Sequence, residues 1–76
     1  MEKIYQLLFE LRPEFDFRDS RNYIEDGMLD SFDIIALVSA LETVYQINVA
    51  GADILPENFS DAEAIASVVR KNGGHL

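Results

Sequence analysis

The stretch that decides the fold is EDGMLDSFDIIALVSALE, residues 25–42, in which a short polar segment precedes a long apolar-periodic one. Asp30 is a good helix N-cap, because its carboxylate can accept a hydrogen bond from the free N–H groups of a first turn. Asp33 adds a second acid where the helix dipole is positive. A flexible glycine and two apolar residues lead into this point. The pattern therefore predicts a helix that begins at Ser31, with the Ser31 hydroxyl exposed at its start.

From Ser31 onward, apolar residues recur at helical spacing over about four turns, which predicts a long central helix with one buried stripe. Leu41 lies on that stripe, so its side chain is expected in the core. Just beyond the helix, Ile47 and Val49 are expected to form a brief extended piece. The predicted stripe consists of Phe32, Ile35, Val38, Leu41 and Tyr45, widened by Ile34, Leu37 and Val44.

The N-terminal part of the chain contains a second helical pattern and a long irregular segment. Apolar residues at helical spacing predict an amphipathic helix over Glu2–Leu11, closed by Pro13, which cannot continue a helix. Residues 12–30 lack a sustained period but carry too much apolar side chain for a flexible linker. We expect an ordered loop held on the core, and long ordered loops are usually functional. Its predicted anchors are Phe15, Phe17, Tyr23, Ile24, Met28 and Leu29.

The C-terminal part contains turn residues and one more helical pattern. A short helical turn is expected after Pro56. Ser60 and Glu63 have the spacing of a capping box, and the apolar stripe that follows predicts a last helix over about Asp61–Lys71, terminated by Gly73. Three main helices, one short helix and no strong strand predict an all-α fold, a small helical bundle with a long loop between the first and second helices.

Composition bounds the classes of function that the chain can have. Its 76 residues allow one domain, residues 1–76, in which a deep catalytic cleft is not expected. The 14 acidic and 6 basic residues give a net charge of −8, which repels nucleic acid and anionic membranes and favours basic protein partners. Without cysteine or a long apolar run, no thiol nucleophile and no membrane insertion are predicted, and a cytoplasmic location is the default. The lone His75 has no sequence-evident partner for acid–base work.

The run DGMLDSFDIIALVSALE, residues 26–42, resembles the attachment-site motif of the acyl carrier protein family. The resemblance covers nearly the whole chain, and the tail ILPENFSDAEAIASVVRK is similar to the end of peptidyl and D-alanyl carrier domains. It implies that Ser31 accepts 4′-phosphopantetheine from coenzyme A, through a separate phosphopantetheinyl transferase. The thiol of this arm would carry an acyl or aminoacyl group as a thioester, which accounts for the missing cysteine. The protein itself would then not be an enzyme.

The same resemblance implies which partners the protein meets and which residues meet them. Asp30 would act as the helix cap and in recognition by the transferase. A partner-binding face would be formed by Asp33, Phe32, Met28 and Glu42. The expected partners of this monomeric carrier are the transferase, an acyl- or aminoacyl-activating ligase, and a downstream acyltransferase or synthase.

Two uncharged residues depart from the family pattern. Many fatty-acid carriers have acids where this chain has Ala36 and Thr43, so the acidic face of the central helix is thinner. Together with the PENF tail, this difference favours a dedicated carrier that serves D-alanylation, a peptide synthetase or a specialised acyl pathway. Apolar contacts from Phe32 and Met28 would then supply more of the affinity for partners.

Two other classes of function stay open from the sequence. The first is a calcium-binding loop centred on Gly27, although Ile24 would occupy a ligand position and cannot ligate. The other ligand positions of such a loop would be Asn22, Asp26, Asp30 and Asp33. The second is an acidic helical adaptor without a prosthetic group, in which Ser31 only starts a helix and the apolar stripe is only core.

Overall fold

The computed structural model describes residues Met1–Leu76, and all of its regular structure is helical. Its elements are the α-helices α1 (Glu2–Leu11), α2 (Ser31–Tyr45) and α3 (Ala62–Lys71), with two 3₁₀ turns, Gly51–Asp53 and Pro56–Phe59, between α2 and α3. α1 packs against both other helices, and the second 3₁₀ turn packs against α2 and α3. The predicted small all-α bundle, with a long loop after its first helix, is confirmed. None of the helices combines the length and the apolar character needed to cross a membrane.

The first two helices end for different local reasons. α1 stops before Arg12, whose backbone (φ −138°, ψ 79°) leaves the helical region because the residue before a proline is restricted, and Pro13 follows. α2 ends at Gln46, which adopts the left-handed conformation (φ 55°, ψ 50°) and donates its N–H to the carbonyl of Glu42. Gln46 is the one non-glycine residue with a positive φ, so this helix end carries a strain that a glycine would not have.

The start of α3 differs from the prediction. Asp61 is the N-cap: its backbone is extended (φ −154°, ψ 175°) and its Oδ1 accepts the N–H of Ala64 at 2.7 Å. Ser60 instead ends the second 3₁₀ turn in a helical conformation, and its hydroxyl donates to the carbonyl of Glu57 at 3.0 Å. The predicted capping box beginning at Ser60 is therefore wrong. The predicted stop at Gly73 is confirmed, since this residue is left-handed (φ +89°) and follows the C-cap Asn72.

The core is one cluster of 18 buried apolar residues to which all three helices and the long loop contribute. Leu41 is 0 % exposed, as predicted. Phe32 and Ile35, however, are 82 % and 62 % exposed, so their predicted place in the buried stripe is wrong. The side of α2 that faces the core lies next to the predicted stripe. Nearly all positions of α2 are apolar, so apolar residues recur at helical spacing along more than one side of this helix. The buried residues of the core-facing side are Ile34, Leu37, Val38 and Leu41.

The irregular segments on either side of α2 are anchored to this core. Of the predicted loop anchors, four are buried and the other two, Phe15 and Ile24, pack against the cluster, so the prediction of an ordered loop is confirmed. After α2 the predicted extended piece is not a strand, although Ile47 and Val49 are both buried. The short turn after Pro56 is confirmed, while the 3₁₀ turn before it was not predicted.

Candidate functional site

Two carboxylates hold the first turn of α2 in place. Asp30 is extended (φ −109°, ψ −174°), and its Oδ1 accepts the N–H of Asp33 at 2.9 Å. Asp33 Oδ2 in turn accepts the N–H of Asp30 at 3.0 Å. This reciprocal pair is a capping box made from two aspartates. The predicted role of Asp30 as helix cap is confirmed, and the start of α2 is therefore fixed to one residue.

Ser31 is the first helical residue of α2, and its side chain is exposed. The first intrahelical hydrogen bond of α2 runs from the N–H of Ile34 to the carbonyl of Asp30, at 3.0 Å. The N–H groups of Ser31 and Phe32 come before this bond, so they have no acceptor within the helix. A negatively charged group on the Ser31 hydroxyl would therefore meet free donors and the positive end of the helix dipole.

The setting of Ser31 is not shared by the other serines. The hydroxyls of Ser20 and Ser60 donate to a carboxylate and to a carbonyl, at 2.6 Å and 3.0 Å. Ser39 and Ser67 are exposed, but each lies in the interior of a helix, where the backbone N–H groups are already paired. Ser31 alone combines an exposed hydroxyl with a helix N-terminus.

The long loop brings the chain to the start of α2 along a fixed path. Tyr23 is 1 % exposed, its ring stands edge-on to Phe17 with centroids 4.9 Å apart, and its N–H donates to the carbonyl of Ser60 at 2.7 Å. Its own carbonyl accepts the N–H of Met28 at 2.8 Å. Gly27 lies between these residues with φ +71°, a conformation that favours glycine. The position of the candidate serine is thus set by the core rather than by a mobile linker.

Arg12 contributes to the site from the end of α1, and the sequence reasoning did not identify it. Its Nε lies 3.1 Å from both carboxylate oxygens of Asp33, and its Nη2 lies 2.8 Å from Oδ2. The same guanidinium lies 3.7 Å from Asp30 Oδ2 and 3.2 Å from Glu14 Oε2. Burial alone would raise the pKa of Asp33, but the hydrogen bonds from Arg12 and the Asp30 N–H outweigh it and lower that pKa. The Asp33 carboxylate is thus held ionised, and it ties the capping box to α1.

The predicted partner-binding residues do not share one surface. Phe32 is exposed, whereas Met28 and Asp33 are each only 8 % exposed, so little of their side chains faces a partner and their part in partner binding stays a prediction. Met28 belongs to the core cluster because the loop folds onto it. Glu42 is half-buried, and its Oε2 accepts the N–H of Val49 at 3.0 Å, which fixes the chain after α2. The carboxylates expected to face partners are thus engaged within the chain.

The loop residues considered for calcium are engaged in other contacts. Asn22 Oδ1 accepts the N–H groups of Ile24 and Glu25, both at 3.1 Å, and so closes a turn. Asp33 binds the guanidinium of Arg12. No group of three histidine or acidic side chains lies close enough to hold a metal ion. The calcium hypothesis therefore has no assembled ligand set in this fold.

An open, mostly apolar groove of about 160 Å³ lies directly beside the candidate serine. Its lining residues are Ser31, Ile34, Ile35, Ile54 and Pro56. The groove joins the exposed edge of α2 to the segment that contains the second 3₁₀ turn.

Comparisons of the chain with protein-family models, with curated proteins and with solved structures find no match.

Proposed function

We propose that the protein is a carrier that holds an acyl or aminoacyl group as a thioester on 4′-phosphopantetheine attached to Ser31, and delivers that group to partner enzymes. The observation that carries the proposal is the setting of Ser31, an exposed hydroxyl on the first residue of a helix directly after the N-cap Asp30. The resemblance of the surrounding sequence to carrier attachment motifs supports the same assignment. The fixed loop before Ser31 suits a site that a separate transferase must find.

The residues at the start of α2 fit an attached phosphodiester. A helix N-terminus stabilises a negative charge by about 0.3–1 kcal/mol, and the N–H groups of Ser31 and Phe32 are free to donate. The neighbouring Asp30 carboxylate would repel a phosphate, but the guanidinium of Arg12, 3.7 Å from Asp30 Oδ2, offsets part of that repulsion. When attached, the group would supply the thiol that this cysteine-free chain lacks.

In this proposal the chain presents its cargo and catalyses no reaction. Its partners would be the phosphopantetheinyl transferase, an activating ligase and a downstream acyltransferase or synthase, with Asp30 serving in recognition by the transferase. The uncharged Ala36 and Thr43 favour a dedicated carrier for D-alanylation, peptide synthesis or a specialised acyl pathway over a general fatty-acid carrier. A cytoplasmic location is part of the proposal, because the chain must meet coenzyme A to receive its arm.

The test is incubation with coenzyme A and a phosphopantetheinyl transferase of broad specificity, followed by intact-mass analysis and thiol titration. Wild type should gain one phosphopantetheine group and, because it has no cysteine, one thiol where none existed before. Ser31→Ala should gain neither, while the matched control Ser39→Ala, an exposed serine on the same helix, should behave as wild type. Modification retained in Ser31→Ala would show that the wrong serine is assigned.

An acidic adaptor without a prosthetic group is the second candidate function. Its support is Phe32, whose 82 % exposure would also suit the binding of another protein. The two functions predict different results in the same incubation, because an adaptor would gain neither mass nor thiol. Wild type that stays unmodified, while a known carrier in the same tube is modified, would favour the adaptor.

A further inference from the structure

A separate pocket of about 90 Å³ lies between α1 and the long loop, and it shares no lining residue with the groove beside Ser31. This volume exceeds the roughly 30 Å³ that one water molecule occupies in the liquid, so the pocket can hold a small organic group. Four of the eight aromatic residues of the chain line it. The lining residues are Tyr5, Phe9, Phe15, Asp16, Phe17 and Arg18.

The aromatic lining of this pocket is more than core packing. Phe17 belongs to the core cluster and Phe15 packs against it, and the two rings stand perpendicular (89°) with centroids 6.2 Å apart. Phe9 is 58 % exposed, and it neither belongs to the cluster nor packs against it. A single exposed apolar side chain is normal. Phe9, however, completes a lining whose other phenylalanines are held in place by the core.

The charges around the pocket favour a cation. The guanidinium carbon of Arg18 lies 4.2 Å from the centroid of the Tyr5 ring, so one ring of the lining already binds a cation within the chain. The charge of Arg18 is matched by its salt bridge with Glu2. Asp16, in contrast, is exposed and takes part in none of the five salt bridges of the chain. The pocket therefore combines aromatic rings with one carboxylate that has no cationic partner.

We propose that this pocket binds a compact alkylammonium group, against Phe9 and Phe15 and beside the carboxylate of Asp16. The faces of aromatic rings carry negative partial charge, which is why aromatic pockets recognise methylated ammonium groups. An anion would be repelled by Asp16 and by the net charge of −8. Two sources offer the required chemistry, a free quaternary amine and a lysine side chain of another protein. The inference does not depend on the proposed function, because Ser31 takes no part in it.

The test is a titration of the isotope-labelled protein with choline at constant ionic strength, followed by amide NMR. Choline should shift the amide signals of Phe9 and Asp16. It should bind about fivefold more tightly than its uncharged isostere, in which a tert-butyl group replaces the trimethylammonium group; this ratio corresponds to about 1 kcal/mol. A parallel titration with a capped lysine distinguishes the sources, since the ligand that binds more tightly identifies the source. Equal affinities for choline and its isostere, or no shift at these amides, would overturn the inference.

Two variants remove one feature of the pocket each. Phe9→Leu keeps an apolar side chain but removes the ring, and Asp16→Asn removes the charge but keeps an oxygen that can accept the N–H of Arg18. Each should weaken choline binding about threefold and leave binding of the isostere within about twofold of wild type. The controls Phe32→Leu and Glu63→Gln replace an exposed phenylalanine and an exposed acid outside the pocket, so they should bind choline as wild type does. Equal weakening in the controls would mean non-specific attraction to the acidic protein and would overturn the inference, provided that circular dichroism shows the same fold.

Discussion

Leu41→Ala should destabilise the protein strongly, whereas Ile35→Ala should leave its stability nearly unchanged. Both residues lie on α2, but Leu41 is 0 % exposed and Ile35 is 62 % exposed. Truncating a fully buried leucine typically costs about 2–5 kcal/mol, because apolar contacts are lost and a cavity remains. Truncating Ile35 lowers the unfolding free energy by about 1 kcal/mol or less through lost apolar burial. The higher helix propensity of alanine raises it again by about 0.4 kcal/mol.

Urea unfolding followed by far-UV circular dichroism measures both changes. A chain of 76 residues has an unfolding free energy of about 4–11 kcal/mol, so the loss at Leu41 is a large share of the total. With a urea dependence of about 1 kcal/mol per molar, the midpoint of Leu41→Ala should fall by about 2 M or more. The midpoint of Ile35→Ala should move by less than about 0.5 M. Equal shifts in the two variants would contradict the assignment of the buried edge of α2.

Four further predictions concern ionisation, a charge reversal at the capping box and backbone strain. Burial raises the pKa of Tyr23 to about 12 from its ordinary 10.0. Its contribution to the folding stability is therefore full below pH 10.0 and is lost as the pH rises through about 12. Absorbance titration should show that not all tyrosines ionise together near pH 10.0. A hydrogen bond from a lysine ammonium outweighs burial and lowers the pKa of Asp53 from its ordinary 3.8. The Asp53 carboxylate therefore contributes to the folding stability above pH 3.8, and this contribution is lost as the pH falls through the lowered pKa. In urea unfolding, Asp53→Asn should lose less stability than wild type between about pH 6 and about pH 3. Asp33→Lys should lower the unfolding free energy by about 2 kcal/mol or more, because it removes a capping carboxylate and places a second cation against Arg12. Replacing an exposed charge would cost much less. A loss below about 0.5 kcal/mol would contradict the observed contacts. Gln46→Gly should raise the unfolding free energy by about 1 kcal/mol by relieving the left-handed conformation, and no gain would mean that the end of α2 is held by other contacts.

Most helix ends could be predicted from the sequence, because they depend on interactions within a few residues. Asp30 caps α2, Pro13 prevents α1 from continuing, and Gly73 supplies the left-handed residue after α3. The exposure of Ser31 follows from the same local chemistry, since the residue after an N-cap stands at the open end of its helix. Where two local solutions compete, as at Ser60 and Asp61, the sequence could not choose between them, because each can place an oxygen over a first turn.

The residues that present Ser31 could not be predicted, because long-range packing brings them together. Arg12 and Asp33 are 21 positions apart, and no local pattern pairs them. Glu42 reads as an exposed helix acid, yet the chain after α2 folds back so that the N–H of Val49 meets its carboxylate. A carboxylate has the same local sequence context whether a partner enzyme or an arginine of its own chain neutralises it.

The sequence by itself determined the three α-helices, most of their limits and the exposed serine at the start of α2. The tertiary structure alone decided which edge of α2 is buried and which charges remain available to partners. α1 and α3 each have one clear apolar face, so periodicity alone orients them. α2 is apolar on nearly all sides, and its orientation depends on where α1 and the second 3₁₀ turn pack against it. That packing leaves Phe32 and Ile35 exposed and draws Asp33 inward to Arg12, because a helix with several possible core faces takes the one that its neighbours cover.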